Sequence, residues 1–306
     1  MTGADRKAGG GAGTGGTLFV VATPIGNLGD ITIRALEVLR AVPLIAAEDT
    51  RITRRLLGRH AIETRLTSYH AQSGPGRTVA LLGHLRDGED LAIVTDAGTP
   101  AVSDPGADLV AAWAAEGGTV VPLPGASAVL AAVAATGVAG PRWSFEGFLP
   151  RSGRERRDRL ARIGADDRGT VLYEAPGRVA ATLADLATAC GGDRPGAVCR
   201  ELTKLHETIV RGSLAELAEA AAAGKRGAAG IPARGEFVLV IGAREVRPDA
   251  SSVDESGAIA GSDLEAARAQ VEALVADGVA RGEAARRVAA ATGLPRRRLY
   301  GADPAS

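Results

Sequence analysis

The 306-residue chain is 45% hydrophobic but only 3% aromatic, which predicts two domains whose cores are filled by Ala, Val and Leu. Its 36 Lys and Arg residues balance 36 Asp and Glu residues, so an overall field that attracts nucleic acid is excluded and any basic surface must be local. Two cysteines exclude a disulfide framework, and no Cys or His spacing is typical of a zinc site, so we expect a reduced, cytoplasmic protein without a metal.

Residues 1–16 are rich in glycine, and we expect them to form a disordered tail. They contain Gly11, Gly13 and Gly16 at the spacing of a dinucleotide-binding fingerprint, but that fingerprint has to follow a strand and open a helix. Because the first predicted strand comes after these glycines, we interpret the spacing as linker composition.

Residues 17–126 are predicted to form an N-terminal α/β domain. Short apolar runs alternate with helical patterns, which is typical of a parallel sheet with helices on its faces. The predicted strands are Thr17–Ala22, Leu44–Ala47, Arg65–Tyr69, Leu91–Thr95 and Thr119–Leu123. The predicted helices are Ile31–Ala41, Arg54–Leu57, Arg77–Arg86 and Asp108–Ala115. Asp30 is the expected cap of the first helix.

Residues 127–243 are predicted to form a C-terminal α/β domain, which opens with a helix over Ala128–Ala135 and continues from Trp143. Its clearest strands are Gly169–Glu174, Gly196–Glu201 and Glu236–Gly242, separated by helices over Val179–Ala189 and Ser213–Ala223. Residues 119–140 carry no charge, but prolines and glycines interrupt them, so we expect no membrane span.

The remaining chain is predicted to contain a polar linker, residues 244–261, and a small helix-turn-helix-like tail, residues 262–306. Helices are expected over Leu264–Asp277 and Gly282–Ala291, with a turn at 292–295. Basic residues after that turn favour contact with nucleic acid. The alternative is a two-helix cap that packs on the main body.

Four loops at strand ends carry the strongest functional signal, because parallel sheets bind their ligands at the carboxyl ends of the strands. These loops are Thr23–Asp30, Thr95–Gly106, Pro122–Ala128 and Tyr173–Gly177. Their Gly and Ala residues let a flat ligand approach the backbone, and their prolines fix the loop shape in advance. The loops therefore predict a pocket in which main-chain groups bind an adenine or a ribose.

Eight sequence runs, in order, resemble those of the bacterial ribosomal RNA small-subunit methyltransferase I family, within the tetrapyrrole-methylase superfamily. The runs are ATPIGNLGDIT from Ala22, AEDTR from Ala47, TDAGTPAVSDPG from Thr95, PGASA from Pro124, FEGFLPRSGRERRDRL from Phe145, YEAPGRV from Tyr173, RELTKLHE from Arg200 and GEFVLVI from Gly235. The resemblance covers residues 17–243 and extends to the C-terminal helices.

This resemblance implies methyl transfer from S-adenosyl-L-methionine to the 2′-oxygen of a cytidine in the decoding region of 16S ribosomal RNA. The expected partner is this RNA within the small ribosomal subunit. It also implies two α/β domains with the cofactor in the cleft between them, a small helical C-terminal unit and a homodimer. The cofactor contacts implied by motif position are Ile25, Ala97, Gly98, Thr99, Val102, Ser127, Ala128 and Glu174.

Two positions depart from the family pattern. Gly177 stands where relatives usually have a histidine, and Ser73 stands where they often have an asparagine. The resemblance therefore implies that neither the histidine nor the asparagine is indispensable to the chemistry.

The ribose hydroxyl is a weak acid, so a carboxylate, a histidine or a neutral lysine that removes its proton would assist the transfer. The candidates are Glu48, Asp49, His70, Asp96, Glu201 and Lys204. The alternative interpretation is structural, with Glu48 and Asp49 paired to Arg51 or Arg54 and Asp96 capping its loop.

Clustered arginines are the predicted contacts to RNA phosphates, because the balanced total charge leaves only local basic surfaces. The expected RNA-binding residues are Arg51, Arg54, Arg151, Arg154, Arg156 and Arg157. The alternative is that these residues only solvate helix faces. Two other functions remain open: methylation of a tetrapyrrole carbon, and a DNA-binding regulator that senses S-adenosylmethionine and binds a duplex through residues 262–306 without turnover.

Overall fold

A computed structural model describes residues 15–244, 261–292, 294 and 296–299. The predicted disordered tail and linker lie almost wholly outside these residues, as do Gly11 and Gly13 and the end of the predicted helix-turn-helix-like tail. The described chain forms two compact units, one ending at Arg244 and the other beginning at Gly261.

The first sheet of the larger unit has five parallel strands in the order β3-β2-β4-β1-β5. The strands are β1 Thr17–Val21, β2 Leu44–Ala47, β3 Arg65–Ser68, β4 Leu91–Val94 and β5 Thr119–Leu123. Every residue of β2 and β4 is buried, which explains their uninterrupted apolar sequences. The helices beside this sheet are α1 Ile33–Ala41, α2 Thr50–Arg59, α3 Pro75–Arg86 and α4 Ala107–Ala115.

The predicted cap of the first helix was wrong. Asp30 ends a short 3-10 turn, Leu28–Asp30, and α1 begins two residues later than expected. Thr32 is the cap, because its Oγ1 accepts a hydrogen bond from the backbone N of Ala35 at 3.1 Å.

The second sheet is mixed, with the order β6-β7-β10-β8-β9. Its strands are β6 Trp143–Phe148, β7 Gly169–Glu174, β8 Pro195–Arg200, β9 Thr208–Ser213 and β10 Phe237–Ile241. Only β6 and β7 are parallel; the other neighbours pair antiparallel. The flanking helices are α5 Ala128–Thr136, α6 Gly153–Ala165, α7 Val179–Cys190 and α8 Leu214–Lys225. The sequence did not indicate β9, an edge strand whose residues are half-buried or exposed and so lack an apolar run.

One apolar cluster joins the two sheets of the larger unit. Ile25, from the loop after β1, and Val129 and Ala132, from α5, pack in one core with Val171 of β7 and Val238 of β10. This packing brings loops from both sheets to one cleft. The boundary between residues 126 and 127 stays a prediction.

The smaller unit contains two helices, α9 Gly261–Ala276 and α10 Arg281–Thr292, followed by a 3-10 turn at Arg296–Leu299. Gly278 lies between the helices with a φ of +86°, a conformation that favours glycine. Ala267, Ala284 and Ala285 are almost fully buried at its core, where their small side chains let the helices approach closely. No helix in the described part of the chain is long and apolar enough to cross a bilayer.

Candidate active site

A cavity of about 420 Å³ opens where loops after β1, β4, β5 and β7 meet. All eight residues expected to contact the cofactor line it: Ile25, Ala97, Gly98, Thr99, Val102, Ser127, Ala128 and Glu174. Residues far apart in the sequence are therefore neighbours on a single surface. Their contact with a cofactor stays a prediction.

Main-chain hydrogen bonds hold two of these loops together. Thr23 and Gly98 form an isolated antiparallel bridge, with N···O distances of 2.8 and 3.0 Å. Gly98 has a φ of +82°, a conformation that favours glycine, and it lines the cavity. The Thr23 hydroxyl also donates to the carbonyl of Thr95 at 2.9 Å. These hydrogen bonds therefore fix the position of the two loops in this part of the wall.

Backbone strain is concentrated in two loops near the cavity. Among the described residues, Ala101 and Ser103 in the loop after β4 have φ values of +68° and +64°, and Glu201 and Thr203 after β8 have values of +53° and +65°. Non-glycine residues rarely adopt this left-handed region, and they do so most often at functional sites. The strain therefore supports a functional role for both loops.

Glu174 is an almost completely buried carboxylate at the end of β7. One of its oxygens accepts from the Thr182 hydroxyl at 2.6 Å, and the other accepts from the backbone N of Ala175 at 2.8 Å and pairs with Arg178 Nε at 3.1 Å. Both oxygens are already bonded, so Glu174 fixes the turn that follows β7.

Asp104 lines the same cavity, and the sequence analysis missed it. The lining contains three carboxylates. Glu174 is bonded as above and Glu236 pairs with Lys204, whereas the Asp104 carboxylate has no hydrogen bond or ion pair with any described residue. Burial, assisted by Glu48 and Asp96, raises the pKa of Asp104 to about 6. The available sequence signal was an Asp before a Pro in the long ligand loop.

Three of the expected base candidates come together beside this wall. Asp49 donates its backbone N–H to Asp96 Oδ1 at 3.0 Å, and Asp96 donates its own to Glu48 Oε2 at 3.2 Å. The expected pairing of Asp49 with Arg51 is confirmed at 2.5 Å, and it holds the pKa of Asp49 well below its usual range. Burial and the nearby Glu48 raise the pKa of Asp96.

The other three candidates are less suited to accepting a proton. Lys204 pairs with Glu201 at 3.1 Å and with Glu236 at 3.0 Å. Although burial opposes it, this pairing raises the pKa of Lys204, so a neutral lysine is disfavoured. His70 is exposed, and its Nδ1 accepts from the backbone N of Gln72 at 3.2 Å. His70 is absent from the described lining of the cavity.

The two departures from the family pattern have different surroundings. Ser73 closes its own loop, since its Oγ accepts from the backbone N of His70 at 2.9 Å. A Cβ at Gly177 would meet nothing within 4 Å, so the backbone there does not require glycine.

A second cavity, of about 390 Å³, is lined by residues that directly precede lining residues of the first cavity in the sequence. Thr23 and Pro24 line it immediately before Ile25, and Thr95 and Asp96 line it immediately before Ala97. Its remaining walls come from the 3-10 turn and from α2: Leu28, Ile52, Thr53, Arg55 and Leu56. The same two loops therefore contribute to both cavities.

The prediction that Arg156 binds RNA is contradicted by its burial. Its side chain is 10% exposed and forms an ion pair with Asp185 at 2.7 Å. It also donates to the Thr182 hydroxyl and to the carbonyl of Pro150, each at 3.0 Å. Its guanidinium joins α6 to α7 and is not available to a phosphate. The other arginines expected to bind RNA are exposed: Arg51, Arg54, Arg151, Arg154 and Arg157.

Comparison with known proteins agrees with this architecture. Residues 17–218 match the family model for tetrapyrrole (corrin/porphyrin) methylases. A ribosomal RNA small subunit methyltransferase I from Synechocystis is 45% identical over 289 residues, which cover 93% of this chain and 96% of the relative. The chain belongs to the methyltransferase I family. Because this chain also matches the tetrapyrrole-methylase model and contains two α/β sheets, the expected two-domain α/β architecture is confirmed.

Solved structures share the fold of this methyltransferase I family member at low sequence identity. A cobalt precorrin-4 methyltransferase is 19% identical, with a TM-score of 0.57 over 74% of this chain and 94% of that one. A uroporphyrin-III C-methyltransferase from Thermus thermophilus, complexed with S-adenyl homocysteine, is 18% identical, with a TM-score of 0.53 over 74% and 97%. At these identities the likeness concerns the fold alone.

Proposed function

We propose that this protein transfers a methyl group from S-adenosyl-L-methionine to the ribose 2′-oxygen of a cytidine in the decoding region of 16S ribosomal RNA. The observation that carries the proposal is the convergence of eight motif residues from four loops on one cavity. The near full-length similarity to a ribosomal RNA small subunit methyltransferase I supports the substrate class.

The donor would occupy the cavity of about 420 Å³, whose size falls within the usual range for small-molecule sites. The eight motif residues would hold it, with Ile25 and Val102 giving apolar contact and the main chain around Ala97 and Ser127 giving hydrogen-bond partners. When bound, S-adenosylmethionine supplies an electrophilic methyl group. The protein's own task is to hold the 2′-oxygen in line with that methyl, which lowers the barrier by proximity and orientation.

Asp104 is the group that we assign to the 2′-hydroxyl proton. Its carboxylate lines the donor cavity without a partner in the described chain. Its pKa of about 6 leaves it ionised at neutral pH yet basic enough to accept a proton, the range that suits a general base. Glu48 and Asp96 would act through Asp104, since both raise its pKa.

The exposed arginines are the proposed contacts to the RNA backbone. Arg51 and Arg54 lie on α2, beside the second cavity, and Arg154 and Arg157 lie on α6. Arg51 pairs with Asp49 across an exposed surface, an interaction weak enough to exchange for a phosphate. The same proposal includes a cytoplasmic location, a homodimer and the assembled small subunit as substrate. Light scattering in solution tests the homodimer.

The decisive experiment incubates the purified protein with labelled S-adenosylmethionine and small ribosomal subunits from a strain that lacks the enzyme. We expect one 2′-O-methylcytidine, identified by mass spectrometry of ribonuclease fragments. Naked 16S RNA, uroporphyrinogen and duplex DNA serve as comparison substrates. Label in the tetrapyrrole, label on a base, or duplex binding without turnover would each overturn the proposal.

A further inference from the structure

The second cavity contains polar groups that lack partners. Thr95 is 2% exposed, lines this cavity, and has a hydroxyl with no hydrogen-bond partner in the described chain. Buried hydroxyls are normally bonded, and leaving one unpaired destabilises the folded state. Asp96 also lines the cavity, and among the described residues only its Oδ1 is bonded, to the backbone N of Asp49. The cavity wall thus contains a carboxylate oxygen that can accept from a ligand, next in the chain to a buried hydroxyl that lacks a partner.

The remaining walls are suited to a flat ring. Leu28 and Ile52 are each 42% exposed, although both are large apolar residues, and Leu56 is buried behind them. Exposed apolar side chains beside a concave surface commonly mark a binding site. Arg55 also lines the cavity and is exposed, so its guanidinium can neutralise a nearby phosphate.

The chain relates this cavity directly to the donor cavity. Pro24 and Asp96 line the second cavity. The residues that directly follow them in the chain, Ile25 and Ala97, line the donor cavity. The same two loops therefore form part of the wall of each cavity. A nucleotide with its base in the second cavity would then have its ribose close to these shared loops.

We propose that the second cavity binds the base of the nucleotide to be methylated, with Asp96 accepting a hydrogen bond from an exocyclic amino group and the Thr95 hydroxyl pairing with a ring or carbonyl atom. A carboxylate is the usual acceptor for the amino group of cytosine, and uracil presents a carbonyl oxygen at the same position. The inference rests on the proposed function and adds base selectivity to it. It requires the base to leave its stack, as enzymes that act on nucleotides commonly demand.

A matched pair of variants tests the role of the Thr95 hydroxyl. Thr136 also has a buried hydroxyl without a partner in the described chain, but it lines neither cavity. Both Thr95→Val and Thr136→Val should raise the melting temperature, because each removes an unsatisfied buried hydroxyl. Only Thr95→Val should raise the KM for small subunits, by about fivefold, while the calorimetric affinity for S-adenosylmethionine stays unchanged.

Base selectivity gives the second measurement. Small subunits reconstituted with cytidine or uridine at the target position are compared as substrates of the wild type and of Asp96→Asn. Asparagine retains an oxygen that can accept from the Asp49 backbone, but its amide donates to a uracil carbonyl, so the preference for cytidine should fall by at least about tenfold. The readout is the ratio of kcat/KM values for the two substrates at saturating donor.

The outcomes separate the two proposals. If the wild type methylates no ribose, the proposed function fails. If it does so, but Thr95→Val keeps the wild-type KM or Asp96→Asn keeps the full preference for cytidine, the base pocket is overturned while the function stands. A Thr95→Val variant that instead loses affinity for S-adenosylmethionine would assign the hydroxyl to the donor cavity and equally reject the base pocket.

Discussion

The donor cavity and the second cavity share two loops but are lined by different kinds of residue. Part of the donor cavity wall consists of small residues and main chain, as at Ala97 and Gly98, and Asp104 is a carboxylate there without a partner among the described residues. The second cavity is lined by longer side chains from the 3-10 turn and α2, such as Leu28 and Ile52. Main-chain walls suit a ligand that never changes, whereas side-chain walls can select among similar ligands. The following variants test that difference.

Asp104→Asn should give the largest effect, because it removes the proposed proton acceptor but keeps the size of the side chain. We expect kcat to fall by about 10² to 10⁴, the usual contribution of a positioned base. Affinity for S-adenosylmethionine, measured by calorimetry, should change little. Asp108→Asn, at an exposed position in the first turn of α4, is the control and should retain wild-type kcat. Wild-type turnover by Asp104→Asn would remove Asp104 from the mechanism.

Ala97→Leu should block the donor cavity by filling it. Ala97 is exposed on the cavity wall, so the larger side chain can enter the cavity without disturbing the core. We expect affinity for S-adenosylmethionine to fall by at least about tenfold, equivalent to about 1.4 kcal/mol, with an unchanged melting temperature. Ala114→Leu, exposed on α4 away from both cavities, should bind the donor normally. Normal donor binding by Ala97→Leu would place the donor elsewhere.

The pH dependence should report the titration of Asp104. Burial, then Glu48 and Asp96, raise its pKa to about 6, so kcat/KM should rise about tenfold between pH 5 and pH 7 and then level off. Because this pKa exceeds the ordinary aspartate value of 3.8, the folded state holds the proton more tightly than the unfolded state. The unfolding free energy contributed by this group therefore falls as pH rises from about 4 to about 6.

The same titration predicts how Asp104→Asn changes stability. The melting temperatures of the variant and the wild type should nearly coincide at pH 4, and the variant should be the more stable at pH 7.5. Residual activity of the variant should also lack the rise near pH 6. A wild-type profile that is flat between pH 5 and pH 7 would contradict the assignment.

The sequence predicted the donor cavity far better than the second cavity, for a physical reason. Turn-rich loops at the ends of buried strands are visible as Gly, Pro and Ala patterns, and the parallel order of β1, β4 and β5 brings them together. The second cavity depends on which face α2 presents to the loops, so Ile52 and Arg55 appear in the sequence as ordinary helical residues.

Burial explains the two clearest errors at the level of single residues. Asp104 was overlooked because its importance comes from lacking a partner among the described residues, which only the packed structure reveals. Arg156 was assigned to RNA because it stands in a run of arginines, although helical periodicity turns it toward α7 while Arg154 and Arg157 remain exposed.

Arg156 and Arg157 offer the finest test, since adjacent arginines on α6 should have opposite roles. Arg157→Ala should leave stability unchanged but reduce the salt dependence of RNA binding, by about 0.7 in the slope of log K against log salt for one lost single-strand phosphate contact. Arg156→Ala should lower the unfolding free energy by about 2 kcal/mol, because it breaks charged hydrogen bonds to Asp185 and leaves Thr182 without this donor. Binding titrations at several salt concentrations and denaturant melts measure the two effects. An unchanged slope in Arg157→Ala would show that this face of α6 does not contact the RNA backbone, whatever occupies the two cavities.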